Sequence, residues 1–432
     1  MRIKGLFFLL LAVLLTVLLA SCARTGSSDS GRAKVRVSVW LGQAELDAMV
    51  RMAEEYNKDT PNVDIEYINI LSTGRYGRER LLTMIAGNDA PDVMMLNTGQ
   101  FEALAARNNL YNLDAFVQKE SFDLSLYWPV AVEGCKFRGI LYGLPKDISN
   151  VILFYNKDIF DAAGIPYPTS DWKFSDMLAA AEKMTIDKNG DGIIDQWGYA
   201  LDNVVWAWAG HVWANDGEIF DANHTQVLLN NPRSIEALDD YFVKLNKFSP
   251  PPGALPDQSG SQDYMRSGIT AMGLFGPWFR PTLVNMETPI RWDVAHYPAA
   301  DRTGKHATVA YVDMWSVFHN SNVAEQAWNF MKYLSSKRAQ EIWVELMGAR
   351  SISPVTEVAR SEGWITYGGS SGNIILEALA YARVPPINFS SGSEVETIWN
   401  QEFSSVVIGE LTVQQAVANI MPQIQNVLNE AR

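Results

Sequence analysis

A strand, a helix and a second strand follow one another near the N-terminus, and this order constrains the fold more than any other feature of the sequence. Residues 35–39 and 63–67 alternate apolar with polar side chains, the pattern of half-buried strands. Between them, apolar residues recur at helical spacing over residues 46–57, and Thr60-Pro61-Asn62 ends that helix. Such a unit joins parallel strands through a crossover helix, so the sequence predicts a parallel sheet.

The same succession of strands and helices continues along the chain. Hydrophobic residues make up 47% of its 432 residues, enough for two or three cores at roughly 100–200 residues each. The sequence therefore predicts an α/β protein. Further strands are predicted over 92–96, 152–155 and 269–275, and further helices over 78–86, 100–107, 175–184, 234–248, 323–334, 338–346, 395–408 and 412–428.

The N-terminus has the layout of an export signal. Arg2 and Lys4 precede an apolar run over residues 5–20, which is too short for a membrane-spanning helix. The step Leu19-Ala20-Ser21-Cys22 resembles a bacterial lipobox. An ordinary cleaved signal with a cysteine nearby is the alternative.

The lipobox resemblance implies a signal peptide over residues 1–21 and a lipid attached to Cys22. The mature chain would have 432 − 21 = 411 residues. Residues 22–33, small, polar and rich in Gly and Ser, would form a flexible tether. We expect a lipid-anchored protein of the cell membrane that faces the periplasm or the cell exterior.

The chain is strongly acidic. Its formal net charge is −14 at pH 7, and loss of Arg2 and Lys4 with the signal makes it −14 − 2 = −16. Because the chain has no run of Lys or Arg, this charge disfavours nucleic acid and anionic lipid as partners. If Cys22 carries lipid, Cys135 has no cysteine partner, and packing rather than disulfides must stabilise the fold.

Aromatic and amide side chains follow several predicted strands. Trp40 follows the first strand, Asn97 and Gln100 follow the third, and Trp278 follows the strand over 269–275. Ligands of open α/β sheets bind beyond the carboxyl ends of the strands. Since aromatic faces stack on sugar rings and amides pair with hydroxyls, these positions predict a site for a polyhydroxylated ligand.

Tryptophan is frequent, with 14 residues in the chain, and several lie between residues 197 and 213. Tryptophan also fills cores and interfaces, which is the alternative interpretation for any single one of them. We interpret the group as carbohydrate-stacking residues, with Trp278 and Trp40 foremost. Trp206, Trp208 and Trp315 complete this predicted set.

The segment 187–195 has the ligand spacing of a calcium-binding loop. Oxygen donors stand at its first, third, fifth and ninth positions, a glycine at the sixth and an apolar residue at the seventh. It departs from the pattern at position twelve, where Gly198 replaces the bidentate glutamate; a plain Asx-rich turn is the alternative. The sequence predicts a structural Ca²⁺ held by Asp187, Asn189, Asp191, Ile193 and Asp195.

No catalytic motif is convincing. Gly368-x-Ser370-x-Gly372 matches the spacing of a hydrolase nucleophile, but such enzymes need a later histidine and the last one is His319. The chain has no phosphate-binding loop, no HExxH and no dinucleotide fingerprint. We predict a binding protein rather than an enzyme. A secreted glycosidase stays open as an alternative because Asp and Glu are abundant.

Four motifs in this order resemble one family. They are Ala90-Pro91-Asp92-Val93, Tyr142-Gly143-Leu144-Pro145 followed by Phe154-Tyr155-Asn156-Lys157-Asp158, Gly276-Pro277-Trp278, and Gly409-Glu410-Leu411-Thr412. Behind a lipobox, they make residues 34–432 similar to the ABC-transporter substrate-binding lipoproteins of extracellular solute-binding family 1. That family includes maltose- and oligosaccharide-binding proteins.

The resemblance implies a two-lobed, type II periplasmic-binding-protein fold. Each lobe would have a mixed, mainly parallel sheet flanked by helices, and the ligand would lie in the cleft between lobes. Lobe one would comprise 34–145 plus 306–349, and lobe two 146–305 plus 350–432. It also implies that Asp147, Asp313 and Arg350 lie near the crossings between lobes and contact the ligand. The segment 311–315 is bulkier than in many relatives, which would reshape the cleft.

The function that this resemblance implies is capture of a carbohydrate, in particular an oligosaccharide, by lobe closure and its delivery to an ABC permease. The expected partners are the sugar, the transmembrane subunits of the permease and the membrane through the lipid, and the protein is expected to be a monomer. Apart from the predicted Ca²⁺, no cofactor is implied. Non-sugar solutes, such as a polyamine, a sugar phosphate or a metal chelate, are alternative ligands, and a sensory or adhesin lipoprotein of the same fold is an alternative role.

Overall fold

The structure is a computed structural model that describes residues 32–71, 77–221, 225–251, 260–385 and 394–430. The predicted signal peptide, Cys22 and most of the predicted tether lie outside the described residues. Within the described residues, no helix combines the length and the apolar character needed to cross a membrane.

Twelve strands are described. They are β1 (Ala33–Val39), β2 (Val63–Asn69), β3 (Val93–Leu96), β4 (Lys136–Phe137), β5 (Ile140–Leu141), β6 (Gly143–Asn150), β7 (Ile152–Asn156), β8 (Trp197–Ala200), β9 (Thr270–Phe275), β10 (Trp292–Ala295), β11 (Thr308–Val317) and β12 (Ala382–Arg383).

The described helices of the first half are α1 (Gln43–Asp59), α2 (Arg78–Ala86), α3 (Thr98–Ala106), α4 (Asp114–Glu120), α5 (Pro129–Gly134), α6 (Lys157–Ala163), α7 (Phe174–Lys183) and α8 (Val205–Ala214). Those of the second half are α9 (Pro232–Asp239), α10 (Ser261–Arg266), α11 (Arg280–Val284), α12 (Ala324–Leu334), α13 (Lys337–Met347), α14 (Thr356–Ala359), α15 (Glu362–Ile365), α16 (Gly372–Glu377), α17 (Glu394–Val407) and α18 (Val413–Glu430).

The first sheet confirms the parallel unit expected from the N-terminal pattern. β1 pairs in parallel with both β2 and β3, and β11 pairs antiparallel with β3. On its other side β11 pairs with β6, and its first two residues also pair with β12. Helix α1 returns the chain between β1 and β2, and its buried face, Ala48, Met49, Met52, Ala53 and Tyr56, packs on the sheet's core.

The second sheet has the order β10-β7-β9-β8. β8 and β9 are parallel, whereas β7 runs antiparallel to both β9 and β10. One face of this sheet contributes Phe154 and Phe275 to the core that includes the first sheet. The other face contributes Leu153 and Leu274 to a second core, which α7, α8, α17 and α18 cover.

Among the described residues, two chain segments connect the sheets. β6 belongs to the first sheet and leads through the single buried residue Val151 into β7 of the second sheet. β11 is antiparallel to β6 over residues 310–316, and the pairing is irregular between Asp313 and Met314. We call the first sheet with its helices lobe one and the second sheet with its helices lobe two. The exact lobe boundaries predicted from the sequence stay predictions; β6 extends past the one at residue 145, and β11 lies within the predicted range 306–349.

Candidate ligand-binding site

The carboxyl ends of β1 and β3 lie side by side in lobe one. Trp40, directly after β1, is partly exposed, and its indole Nε1 donates to the Met95 carbonyl at 3.2 Å. Asn97, directly after β3, caps α3 because its Oδ1 accepts from the Gln100 backbone at 2.9 Å. In return, the buried Gln100 side chain accepts through its Oε1 from the Asn97 backbone N–H at 3.3 Å. The polar end of β3 is thus held rigidly by a capping box.

β11 passes beside this strand end. The Thr98 hydroxyl donates to the Val312 carbonyl at 3.2 Å, and Leu96 pairs with Met314. One further step of the antiparallel ladder brings Asp313 level with Asn97. On the opposite side of β11, Asp313 is the Cα partner of Asp147.

A cluster of five charged side chains surrounds this point. We call Glu45, Lys146, Asp147, Asp313 and Arg350 the crossing cluster. The Lys146 ammonium lies 2.5 Å from the Asp147 carboxylate, and both side chains are nearly buried. The Arg350 guanidinium lies 3.2 Å from Glu45, which stands in the first turn of α1. The predicted residues Asp147, Asp313 and Arg350 are therefore brought together, although they come from three distant parts of the chain.

Asp313 is the carboxylate of the cluster with the most perturbed ionisation. Burial is the largest cause and raises the pKa of Asp313 to about 8, and the Asp147 carboxylate beside it raises that pKa as well. Lys146 and Arg350 act in the opposite direction. The side chain is crowded by protein yet keeps some exposed surface, as expected for a group in a recess.

Two tryptophans follow strand ends of lobe two. Trp206 and Trp278 form an edge-to-face pair with ring centroids 5.8 Å apart and an interplanar angle of 81°. Both rings are partly exposed, and nine of the ten residues of α8 are buried while Trp206 is not. The Trp278 ring folds back over Gly276, where a β-carbon would lie 1.9 Å from the ring. Glycine at 276 is therefore what permits this ring position.

The two lobes bring these features close to one another. Trp206 and Trp278 each pack against both cores. Helix α8, which carries Trp206, contacts β11, and the Pro277–Phe279 turn contacts β6. Aromatic rings of lobe two thus approach the strands that carry Asp147 and Asp313. Partly exposed aromatic rings on lobe two and hydrogen-bonding groups on lobe one are the two kinds of surface that a ligand with sugar rings needs.

Two of the predicted stacking residues have no free face in the structure. Trp208 is fully buried, and its ring stacks on Trp399 at a centroid distance of 4.0 Å. Trp315 lies on β11 between β3 and β6 with 1% of its surface exposed. A ring enclosed by protein cannot stack on a sugar, so for these two residues the prediction was wrong and their role is core packing.

The predicted calcium loop is exposed and folds as nested turns. The Asp187 carboxylate accepts backbone bonds from Gly190 and Gly192, both at 2.7 Å, and these bonds hold its pKa below the usual range. Asp191 accepts from the Ile193 backbone, and Asp195 from the Lys188 backbone. Within the described ranges, no group of three His, Cys, Asp or Glu side chains converges as a metal site. Nothing in this geometry tests calcium binding, which stays a prediction.

Sequence reasoning missed Glu45, Lys146 and Asp202. Glu45 stands where a capping glutamate is expected, and it accepts from the Gly42 backbone at 2.9 Å. Lys146 directly precedes Asp147 but is buried beneath the Trp343 ring, 4.5 Å from its centroid. Asp202 follows β8, as Trp278 follows β9, and accepts from the Ser261 hydroxyl at 2.7 Å. The position of Asp202 beyond a strand end was the signal available for it.

A family model described as bacterial extracellular solute-binding protein matches residues 42–341. A putative binding protein of Brucella abortus is 24% identical over 274 residues, or 63% of this chain, and the chain covers 64% of that relative, less than two thirds of its length. A galactooligosaccharide-binding protein of Bacillus subtilis is 22% identical over 428 residues, which cover 96% of this chain and 94% of that protein.

A solved structure shares the whole architecture. An ABC substrate-binding protein of Listeria monocytogenes, in complex with cycloalternan, superposes with a TM-score of 0.78 and 26% identity. The similarity covers 92% of this chain and 99% of that one. The two-lobed α/β fold predicted from the sequence is therefore confirmed.

Proposed function

Since this chain belongs to the bacterial extracellular solute-binding proteins, we propose that it is an extracytoplasmic receptor that captures a carbohydrate, in particular an oligosaccharide. In this proposal it binds without chemical turnover and delivers the sugar to an ABC permease. The names of the Bacillus galactooligosaccharide-binding protein and of the Listeria cycloalternan complex support a sugar as the ligand.

The observation that carries the proposal is the partly exposed Trp206–Trp278 pair, which packs against the cores of both lobes. A sugar ring presents CH groups that pack on an aromatic face and hydroxyls that need polar partners. Trp206 and Trp278 supply the first kind of surface, and Asn97 and Asp313 supply the second from lobe one. A ligand of this chemistry contacts both lobes at once.

The mechanism is a shift of population between open and closed arrangements. A ligand that touches both lobes only when they are closed binds that arrangement more tightly, and its differential affinity moves the equilibrium. The movement would occur in the two connecting segments. The first consists of β6, Val151 and β7, and the second is β11. The permease would use the closed form.

Location and partners complete the proposal. Lipid on Cys22 and the tether over residues 22–33 would hold the mature protein at the membrane as a monomer. The transmembrane subunits of the permease would be separate chains.

The test is a thermal-shift screen of the soluble mature protein, which starts at residue 23 and retains every described residue. Sugars, polyamines and sugar phosphates are compared, because a ligand that binds only the folded protein stabilises it by about RT ln(1 + [L]/Kd). We expect a rise in Tm with a neutral oligosaccharide. Trp278→Ala should weaken its affinity at least tenfold, about 1.4 kcal/mol or more, since a stacking surface is lost.

Trp172→Ala is the matched control. Trp172 is also partly exposed, but it packs only against the second core, so its loss should leave affinity unchanged. Stabilisation by charged non-sugar ligands alone would contradict the carbohydrate proposal. Turnover of an aryl glycoside would contradict the proposal of a receptor without catalysis.

A further inference from the structure

The charges of the crossing cluster do not balance. It contains three carboxylates, on Glu45, Asp147 and Asp313, and two cations, on Lys146 and Arg350. Lys146 pairs with Asp147 at 2.5 Å, and Arg350 pairs with Glu45 at 3.2 Å. Each cation thus already has a carboxylate of its own, and Asp313 is left over.

The Asp313 side chain has no hydrogen-bond or ion-pair partner among the described residues. It faces Lys146 and Asp147 from β6, Arg350 from the segment after α13 and Glu45 from α1, all within electrostatic range. A crowded carboxylate without a partner is costly to ionise, so in the empty protein it retains a proton near neutral pH. This proton neutralises the Asp313 carboxylate, for which the crossing cluster has no third cation.

The position of Asp313 makes it available to a ligand. It stands on β11 level with Asn97, at the carboxyl end of the first sheet, and part of its surface is exposed. Helix α8 with Trp206 contacts the same strand from lobe two. A ligand that extends from the aromatic pair to the carboxyl end of the first sheet would reach this carboxyl.

We propose that Asp313 selects carbohydrates that carry a protonated amino group, and that the ligand ammonium supplies the third cation of the crossing cluster. This inference rests on the proposed carbohydrate receptor. On binding, the Asp313 carboxylic acid loses its proton to the buffer, and the carboxylate pairs with the ligand ammonium. The complex gains one charge-assisted hydrogen bond, and all three carboxylates then have a cation.

A neutral sugar supplies no cation to pair with the Asp313 carboxylate. Its hydroxyl can accept a hydrogen bond from the protonated Asp313, but it leaves the carboxylate uncompensated if the proton departs. Hydrogen bonds to charged groups contribute about 1.5–3 kcal/mol, which corresponds to roughly 10- to 150-fold in affinity. This difference is large enough to measure directly.

The experiment is isothermal titration of the mature protein with matched ligands. Each amino sugar or amino-oligosaccharide, including deacetylated chito-oligosaccharides, is set beside its N-acetylated and its hydroxyl counterpart of equal length. Titrations near pH 7 in two buffers of different ionisation enthalpy count the protons released. We expect the amine to bind at least about tenfold more tightly than its counterparts and to release a proton.

Asp313→Asn is the decisive variant because it keeps the shape and removes the ionisable group. It should lose the proton release and bring the amine and its neutral counterparts to similar affinities, whatever its effect on sugar affinity as a whole. Glu325→Gln, the same acid-to-amide replacement at an exposed site of α12, is the control and should keep the preference.

The outcomes separate the two proposals. Equal affinity for amine and neutral counterparts, or an amine preference that survives Asp313→Asn, overturns the selection by Asp313 but leaves the carbohydrate receptor standing. Binding of linear polyamines with no binding of any sugar in the panel overturns both.

Discussion

Asp147 and Asp313 lie directly opposite each other on β6 and β11, so the two carboxyls share one environment. The two carboxyls differ in their ion pairing, because Lys146 pairs with Asp147 and has no second acceptor among the hydrogen bonds described. Because the Lys146 ammonium pairs with Asp147, no paired cation offsets the free-energy cost of ionising Asp313. One neighbouring cation thus decides which of these two aspartates is ion-paired.

Replacement of Asp313 by Asn should make the protein less sensitive to alkaline pH. Burial raises the pKa of Asp313 in the folded protein to about 8, well above that of a free aspartate, so the folded protein holds this proton more tightly than the unfolded chain. The stability contributed by this group is therefore lost as pH rises from about 4 to about 8. We expect Asp313→Asn to exceed the parent at pH 8 by on the order of 1–2 kcal/mol, after allowance for solvent screening, and by less at pH 5.

Urea unfolding at the two pH values measures this difference, and Asp147→Asn is its control. That substitution leaves the buried Lys146 ammonium without its carboxylate, so it should cost about 3 kcal/mol at both pH values. A parent and an Asp313→Asn variant that lose stability in parallel between pH 5 and pH 8 would contradict the raised pKa.

Arg280 shows how a residue two positions after Trp278 can hold the neighbourhood in place. Its guanidinium is fully buried and donates to the carbonyls of Trp364 and Tyr367, both at 3.0 Å. Burial lowers the pKa of Arg280 to about 10. Carbonyl oxygens near the end of α15 serve as the acceptors, a favourable place for a cation.

At the scale of elements, periodic helices were predicted well and uniformly apolar ones were not. The helices predicted over 395–408 and 412–428 correspond closely to α17 and α18. Helix α8 was missed, because nine of its ten residues are buried and no polar face marks a helical period. The segment predicted as one helix over 234–248 contains three successive elements. It begins in α9, continues as a π-helix over Asp240–Lys244, and ends as a 3₁₀-helix over Leu245–Phe248.

The contact between β8 and α7 leaves no room for a methyl group at residue 198. A β-carbon at Gly198 would lie 2.0 Å from the backbone oxygen of Ala181. Since backbone atoms of two packed elements cannot move apart cheaply, Gly198→Ala should destabilise the protein by about 2–3 kcal/mol or more, measured by urea unfolding. Gly363→Ala is the control: it lies in α15 with no atom within 4 Å of the added carbon, and it should be neutral or slightly stabilising.

Calcium binding by the loop over 187–195 is a separate proposal. If the loop holds Ca²⁺, adding the ion should raise Tm and a chelator should reverse the rise, while Mg²⁺ should have little effect. Asp187→Ala should abolish the response because the first ligand is lost. Asp171→Ala, an exposed aspartate outside the loop, should keep it. A Tm that does not respond to Ca²⁺ in the parent would contradict the proposal.

At the scale of the whole molecule, lobe closure should be visible as compaction. A saturating sugar should lower the radius of gyration toward the compact-chain value of roughly 22 Å, because only the closed arrangement lets the ligand touch both lobes. Small-angle scattering measures the change. At the same sugar concentration Trp278→Ala should show less compaction. A saturated protein with an unchanged radius would contradict the closure mechanism.

The sequence by itself determined the class of fold and the family, and it predicted the strand ends at which we propose that a ligand binds. These follow from local periodicity and short motifs, which depend on neighbours only a few residues apart. It also named Asp147, Asp313 and Arg350, through the resemblance. It could not separate Trp206 and Trp278 from Trp208 and Trp315, since all four are tryptophans near strands or helices of similar character.

Only the tertiary structure decided which of these side chains face one another and which are enclosed. Trp208 is buried because Trp399, nearly two hundred residues later, stacks on it, and Asp313 is unpaired because Lys146 and Arg350 pair with Asp147 and Glu45. Exposure and ionisation are set by distant segments that packing brings together. No local pattern in the chain encodes those contacts, and so the specificity of the site belongs to the folded molecule.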